Sequence, residues 1–140
     1  MMSAALLSAA LLSGCASVPM ADATADAQAK QFVAPKEAAN LYIYRNETFG
    51  AAVKMPLLVD GVAVGDTVAH SYILKQVTPG SHTITSKSEN DATLTLSTEA
   101  GKNYYVWQEV KMGLLMARSK LSQVSEEEGK QGVMESKLVK

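Results

Sequence analysis

The chain is short of most of the residues from which enzymatic chemistry is built. It has one cysteine, so no disulfide can form within it and the fold must rest on apolar burial. His70 and His82 are its two histidines, too few and too far apart for the paired, closely spaced ligands that mark a zinc site. No Gly-x-Ser-x-Gly elbow is present, and serines such as Ser71, Ser81 and Ser97 stand without a motif that would activate them. Neither sign of charge is in excess: 13 Lys and Arg face 14 Asp and Glu, for a net charge of −1. That balance leaves no electrostatic footprint for nucleic acid and no polybasic face for anionic lipid. Nor is there an apolar run of the ~20 residues that a spanning helix needs. The opening apolar stretch closes at Cys15, and Asp22, Asp26 and Lys30 follow.

What is present begins with that stretch. Leu12-Ser13-Gly14-Cys15 closes a charge-free run that starts at the first residue, an anatomy that belongs to targeting and not to fold. The tetrapeptide resembles the lipobox of bacterial lipoproteins. The resemblance implies that Cys15 is diacylated on sulfur and becomes the first residue of the mature chain, which would join the protein to a membrane. Two or more acyl chains anchor stably where a single one does not. Ala16 stands where an aspartate would be the usual retention signal of the inner membrane, so the resemblance implies the outer membrane, facing the periplasm. Met1-Met2-Ser3-Ala4 lacks the basic residues with which a signal peptide opens, a departure that allows for a start further upstream.

The expected organisation is a signal peptide over residues 1–14, a lipidated cysteine and flexible tether over 15–39, and one domain over 40–140. Residues 16–39 are Ala-rich and polar with no bulky residue spaced to make a packed face, so they bury too little to offset their ordering entropy. Alanine permits a few helical turns there, ended by Pro35. Phe32 and Val33 are where the tether is expected to meet the domain.

From Asn40 the period changes to two. Leu41-Tyr42-Ile43-Tyr44 is apolar or aromatic on both parities, as in a central strand covered on both faces. Residues 54–59 run into Asp60-Gly61, the dipeptide of a type I′ hairpin. Residues 70–77 are extended and end at Pro79-Gly80, a turn pair. Thr93-Leu94-Thr95-Leu96-Ser97 alternates leucine with hydroxyl, so one face should be solvated. Residues 104–111 make the longest strand, rich in aromatic and β-branched residues. Gly113 should reverse it, and Leu114-Leu115-Met116-Ala117 reads equally as strand or helical turn. Ser125 and Glu128 have capping-box spacing, ahead of a helix that Gly129 and Gly132 should weaken and keep short. The pattern predicts an all-β fold: a small antiparallel β-sandwich with a short C-terminal helix.

Four segments carry a family resemblance: Tyr42-Ile43-Tyr44-Arg45; Val59-Asp60-Gly61 with Val64-Gly65; Val77-Thr78-Pro79-Gly80-Ser81-His82; and Gly101-Lys102-Asn103-Tyr104-Tyr105-Val106. In order and spacing they resemble bacterial lipoproteins grouped as domain of unknown function 2846, over most of residues 30–128. Residues 57–84 are also similar to the Pro-Glu-Gly-Ala repeat domain, a surface β-sandwich whose usual role is binding or display. Neither resemblance implies a catalytic site or a cofactor.

No catalytic residue, metal ligand or cofactor is expected, and the protein is not expected to be an enzyme. His82, just after a turn, reads as a half-buried imidazole bonded to backbone; His70 reads as exposed or packed edge-on. Met112 and Met116 are too few for a copper site. One surface stands out: Tyr105, Trp107 and Glu109 share a parity of the longest strand, and exposed they would form an aromatic platform for a sugar or a protein. Buried, they are core, and the partner site then falls to the loops around Gly50, Asp66 and Asn90. The functional expectation is a lipid-anchored envelope lipoprotein, held to the membrane through Cys15, whose sandwich binds a protein or envelope polysaccharide and no nucleic acid. The alternative is a periplasmic accessory protein that handles a small ligand or metal.

Overall fold

Leu41-Tyr42-Ile43-Tyr44 leave no parity for solvent, and the strand that contains them, β1 (Ala39–Arg45), is buried along its whole length. The computed structural model describes residues 16–48 and 50–140; the expected signal segment and Cys15 lie outside the described residues. Eight further strands follow: β2 (Met55–Val59), β3 (Val62–Thr67), β4 (Ser71–Val77), β5 (Gly80–Ser86), β6 (Ala92–Thr98), β7 (Lys102–Lys111), β8 (Arg118–Val124) and β9 (Lys137–Leu138). They form a five-stranded sheet in the order β8-β7-β1-β4-β9 and a four-stranded sheet in the order β3-β2-β5-β6. The all-β sandwich is thus as the period-two pattern predicts. Most pairings are antiparallel, but β1–β7 and β4–β9 run parallel. β7 reaches β1 only after β5 and β6 have been laid in the other sheet, and it arrives in the direction of β1.

Local chemistry explains the turns. Asp60 and Gly61 both take positive φ, 51° and 79°, the two left-handed positions of a type I′ turn, and Val59 faces Val62 across it. The β6 leucines point inward while Thr93, Thr95 and Ser97 are exposed. Helix α2 (Glu126–Met134) is capped by Ser125, whose Oγ accepts from the Glu128 amide at 3.2 Å. Glu126, Glu127 and Glu128 in its first turn complement the positive end of the helix.

The two faces of the five-stranded sheet bury different chemistry. Leu41 and Ile43 meet Leu57, Ile73, Ile84, Leu96, Val106 and Leu121 between the sheets. On the outer face Tyr42, Tyr44, Tyr72 and Tyr105 form a second core with Ala29 and Val133, beneath α1 (Ala23–Ala29) and α2. The Ala-rich stretch, expected as a flexible tether, is instead docked. The Ala16 amide donates to the Ala51 carbonyl at 2.9 Å, that of Ala21 to Leu138 at 3.0 Å, and Met20 bridges Val139. Polar bonds replace the missing bulky face: Asp26 of α1 accepts from the Tyr72 hydroxyl at 2.6 Å, from Lys30 Nζ at 3.0 Å and from the Leu138 amide at 3.2 Å. Burial pushes the Asp26 carboxyl up, but these donors outweigh it and hold its pKa below the usual value.

Arg45 ends β1 with no exposed surface. Its Nε donates to Glu47 at 3.0 Å, Nη1 to the carbonyls of Val53 at 2.8 Å and Thr67 at 3.1 Å, and Nη2 to Gly50 at 3.2 Å. Thr67 continues the network inward, its hydroxyl donating to Gln108 Oε1 at 2.5 Å while Gln108 Nε2 donates to Ser86 Oγ at 2.6 Å. One guanidinium thereby ties Glu47, Gly50 and Val53 to the end of β1. Arg45→Met should cost about 3 kcal/mol or more, since it leaves buried acceptors unpaired. Urea unfolding checks this; a midpoint no lower than that of the exposed-site control Lys36→Met would reject the role.

Candidate functional site

Strand β7 carries the surface that the sequence singles out, and the structure divides it. Tyr105 is buried: its ring stacks on Tyr42 with centroids 5.3 Å apart and meets Phe32 edge-on at 6.0 Å. Trp107 is half-buried beside Tyr44 and the Gly132 end of α2. Glu109 is partly exposed, with its carboxylate 3.6 Å from Lys111 Nζ. The three therefore form no common exposed platform, which corrects that expectation. The reason lies in α2. A Cβ on Gly129 would overlap the Tyr105 ring and one on Gly132 the Tyr44 ring, so the glycines that read as helix-weakening are the ones that let the helix lie on the sheet.

The titratable groups sit apart. His82 is buried, with Nδ1 2.5 Å from Asp60 Oδ2 and Nε2 2.5 Å from the Thr78 carbonyl. Two acceptors face two ring nitrogens, so the imidazolium, which donates from both, is the form the site favours. The hydrogen bond that His82 donates to Asp60 raises the pKa of His82 against the opposing effect of burial. Asp60 also accepts from the Thr83 amide at 2.9 Å, which clips the β2–β3 hairpin to β5. His70, at the exposed start of β4, contacts Thr48 Oγ1 through Nε2 at 2.8 Å. Among the described residues no group of three or more His, Cys, Asp or Glu comes together as a metal site would require.

What sequence reasoning missed is the connection between β7 and β8. Residues 112–117 are neither strand nor helix, and Met112, Leu114, Leu115 and Met116 all project into solvent, Leu114 and Leu115 with 88% and 94% of their surface exposed. The loop is held from within. Glu89 accepts from the Leu114 amide at 2.9 Å through Oε2 and donates its own amide to the Ala117 carbonyl at 3.0 Å. Arg118 Nε lies 3.6 Å from the same carboxylate. Gly50 and Val53, on the segment pinned by Arg45, line a groove with residues 110–117. Two of the three loops named from the sequence, those of Gly50 and Asn90, thus flank this one; Asp66 lies in β3, 4.0 Å from Lys54. The available signal was an apolar run bracketed by Lys111 and Arg118, with no alternation and no turn residue after Gly113.

Two measurements follow. Ala is favoured over Gly in a helix by about 1 kcal/mol, yet Gly129→Ala should destabilise by about 1–3 kcal/mol because overpacking against Tyr105 reverses the sign; a raised melting temperature would reject that packing. His82 has a folded-state pKa above its unfolded one, so its contribution is complete below about pH 6.5 and fades as pH rises through the folded value. The stability gap between the protein and His82→Gln should therefore narrow as pH rises above about 6.5 in urea titrations. A gap independent of pH would mean that the imidazole is not protonated in the fold.

Comparison with known proteins agrees with this architecture in extent. The family described as "Protein of unknown function (DUF2846)" matches residues 35–120, from just before β1 into β8. A protein of Haemophilus influenzae (strain ATCC 51907 / DSM 11121 / KW20 / Rd), described as "Uncharacterized protein", is 40% identical over 127 residues, covering 89% of this chain and 76% of that protein. No solved structure matches. With its central strand, the Asp60-Gly61 hairpin and the β7 aromatics all inside the matched span, the chain belongs to the DUF2846 family of proteins of unknown function.

Proposed function

We propose that this protein is a lipid-anchored lipoprotein of the bacterial cell envelope, on the outer membrane and facing the periplasm, and that its β-sandwich binds a protein or envelope polysaccharide without catalysing a reaction. The observation that carries this reading is Leu12-Ser13-Gly14-Cys15 behind a charge-free apolar run, a signal-peptide anatomy that resembles a lipobox ending at Cys15. Among the described residues no helix is long and apolar enough to cross a membrane, so on this reading attachment is the work of the lipid. Residues 57–84, which run from β2 into β5, are read as akin to the Pro-Glu-Gly-Ala surface domain, a sandwich used for binding or display.

The alternative of a small-ligand or metal-handling protein has less support. Leu41, Ile43, Leu57, Ile84 and Val106 occupy the space between the sheets, where a ligand of that kind would sit. His70 and His82 are engaged separately, by Thr48 and by Asp60.

Cys15→Ser tests the proposal. The variant should leave the membrane fraction, or persist as unprocessed precursor, while the unaltered chain stays membrane-bound until detergent is added. Retention of Cys15→Ser on membranes at the mature size would overturn the anchor.

A further inference from the structure

We infer that the loop of residues 112–117 enters the bilayer on which the protein is anchored, as a second, apolar contact beside the lipidated cysteine. This rests on the lipoprotein reading of Cys15 and adds to it an orientation.

The exposure is organised. Scattered single hydrophobes on a surface are ordinary, but Met112, Leu114, Leu115 and Met116 are concentrated on one short connection, and such a patch marks a contact. Glu89 bonds the polar backbone of the loop on its inner side at Leu114 and Ala117, with Arg118 3.6 Å from its carboxylate, so the apolar side chains are held outward by structure.

Its place in the fold says what covers it. Ala16, the residue after Cys15, is hydrogen-bonded to Ala51. Ala51 lies between Gly50 and Val53, which line the groove shared with residues 110–117. Adjacent Cα atoms are about 3.8 Å apart, so lipid on Cys15 would bring the bilayer to this end of the sandwich. A long free tether would leave the orientation open, but the chain is docked from Ala16 through Met20 to α1.

The chemistry favours lipid over protein. Protein hot spots draw on Trp, Tyr and Arg, whereas the tip offers leucine and methionine, with no polar side chain to satisfy. Lys111 and Arg118 at its base can reach the headgroup level, their stems lying along apolar surface. Both lie near carboxylates, Glu109 and Glu89, so the contact depends on apolar insertion and should be insensitive to salt.

Acylation consumes the one cysteine, so Leu115→Cys in the full, lipidated chain supplies a single free thiol for a nitroxide, at a site too exposed to disturb the fold. Val62→Cys, exposed on the hairpin at the opposite end, is the control. The chains are placed in protein-free vesicles of phosphatidylethanolamine and phosphatidylglycerol. The label at 115 should collide several-fold more with oxygen than with a water-soluble nickel complex, the label at 62 the reverse, at low and high salt alike. Equal nickel access at both sites in vesicle-bound protein overturns the inference and leaves the anchor standing. Protection at 115 in native envelope membranes but not in vesicles assigns the loop to a protein partner and also overturns it. Labelling of Cys15 itself shows that the thiol is free, and removes both readings.

Discussion

The buried guanidinium of Arg45 is the contact on which the Gly50–Val53 end of this molecule depends. A charge taken wholly out of water costs several kcal/mol unless its donors are met. Here four hydrogen bonds use four of its five donors, three to the backbone carbonyls of Gly50, Val53 and Thr67 and one to Glu47. Burial lowers the pKa of Arg45 and Glu47 opposes the shift, but a guanidinium stays protonated throughout. Since the Gly50 and Val53 carbonyls belong to the segment after β1 and that of Thr67 to the end of β3, the side chain that closes the central strand also positions Ala51, and through it Ala16.

Around that strand the molecule is three layers deep. The four-stranded sheet covers one face of β1 with aliphatic side chains; two short helices cover the other over tyrosines. Phe32 shows how tightly the outer layer is specified. It holds φ at 57°, a left-handed conformation that costs a bulky residue of order 1 kcal/mol or more, and its ring packs 5.4 Å from Tyr42 with Lys130 5.4 Å above it. Burial raises the pKa of the Tyr42 phenol to about 12, with Tyr105 adding to the shift, so its hydroxyl remains neutral across the physiological range.

The two ends of the sandwich differ in character. At one, His82 and Asp60 clip a hairpin by charge and hydrogen bonding; at the other, Glu89 fastens the backbone of a loop whose side chains are apolar and unpaired. An edge hairpin that presents leucines to water is unfavourable for a soluble surface. The cost makes sense where that end meets an apolar medium, which links the loop to the anchor proposed for Cys15.

Much of this was legible from residues alone. Strand positions followed from period two, the both-face burial of β1 from its unbroken apolar run, the hairpin from Asp60-Gly61, and the α2 cap from Ser125, because each rests on interactions within a few residues of chain. The fate of Tyr105 and Trp107 was not legible: parity says which side chains share a face, but only a helix arriving from distant sequence determines whether that face is covered. The docking of residues 16–38 escaped notice for a related reason, since alanine and glycine mark close approach and carry no hydrophobic periodicity. Sequence by itself determined the strands, their turns and the candidate lipid site, through local backbone chemistry. Tertiary structure decided which aromatic face was sealed, how closely the stretch from Ala16 docked and which apolar run was left exposed, because those outcomes depend on contacts between segments far apart in the chain.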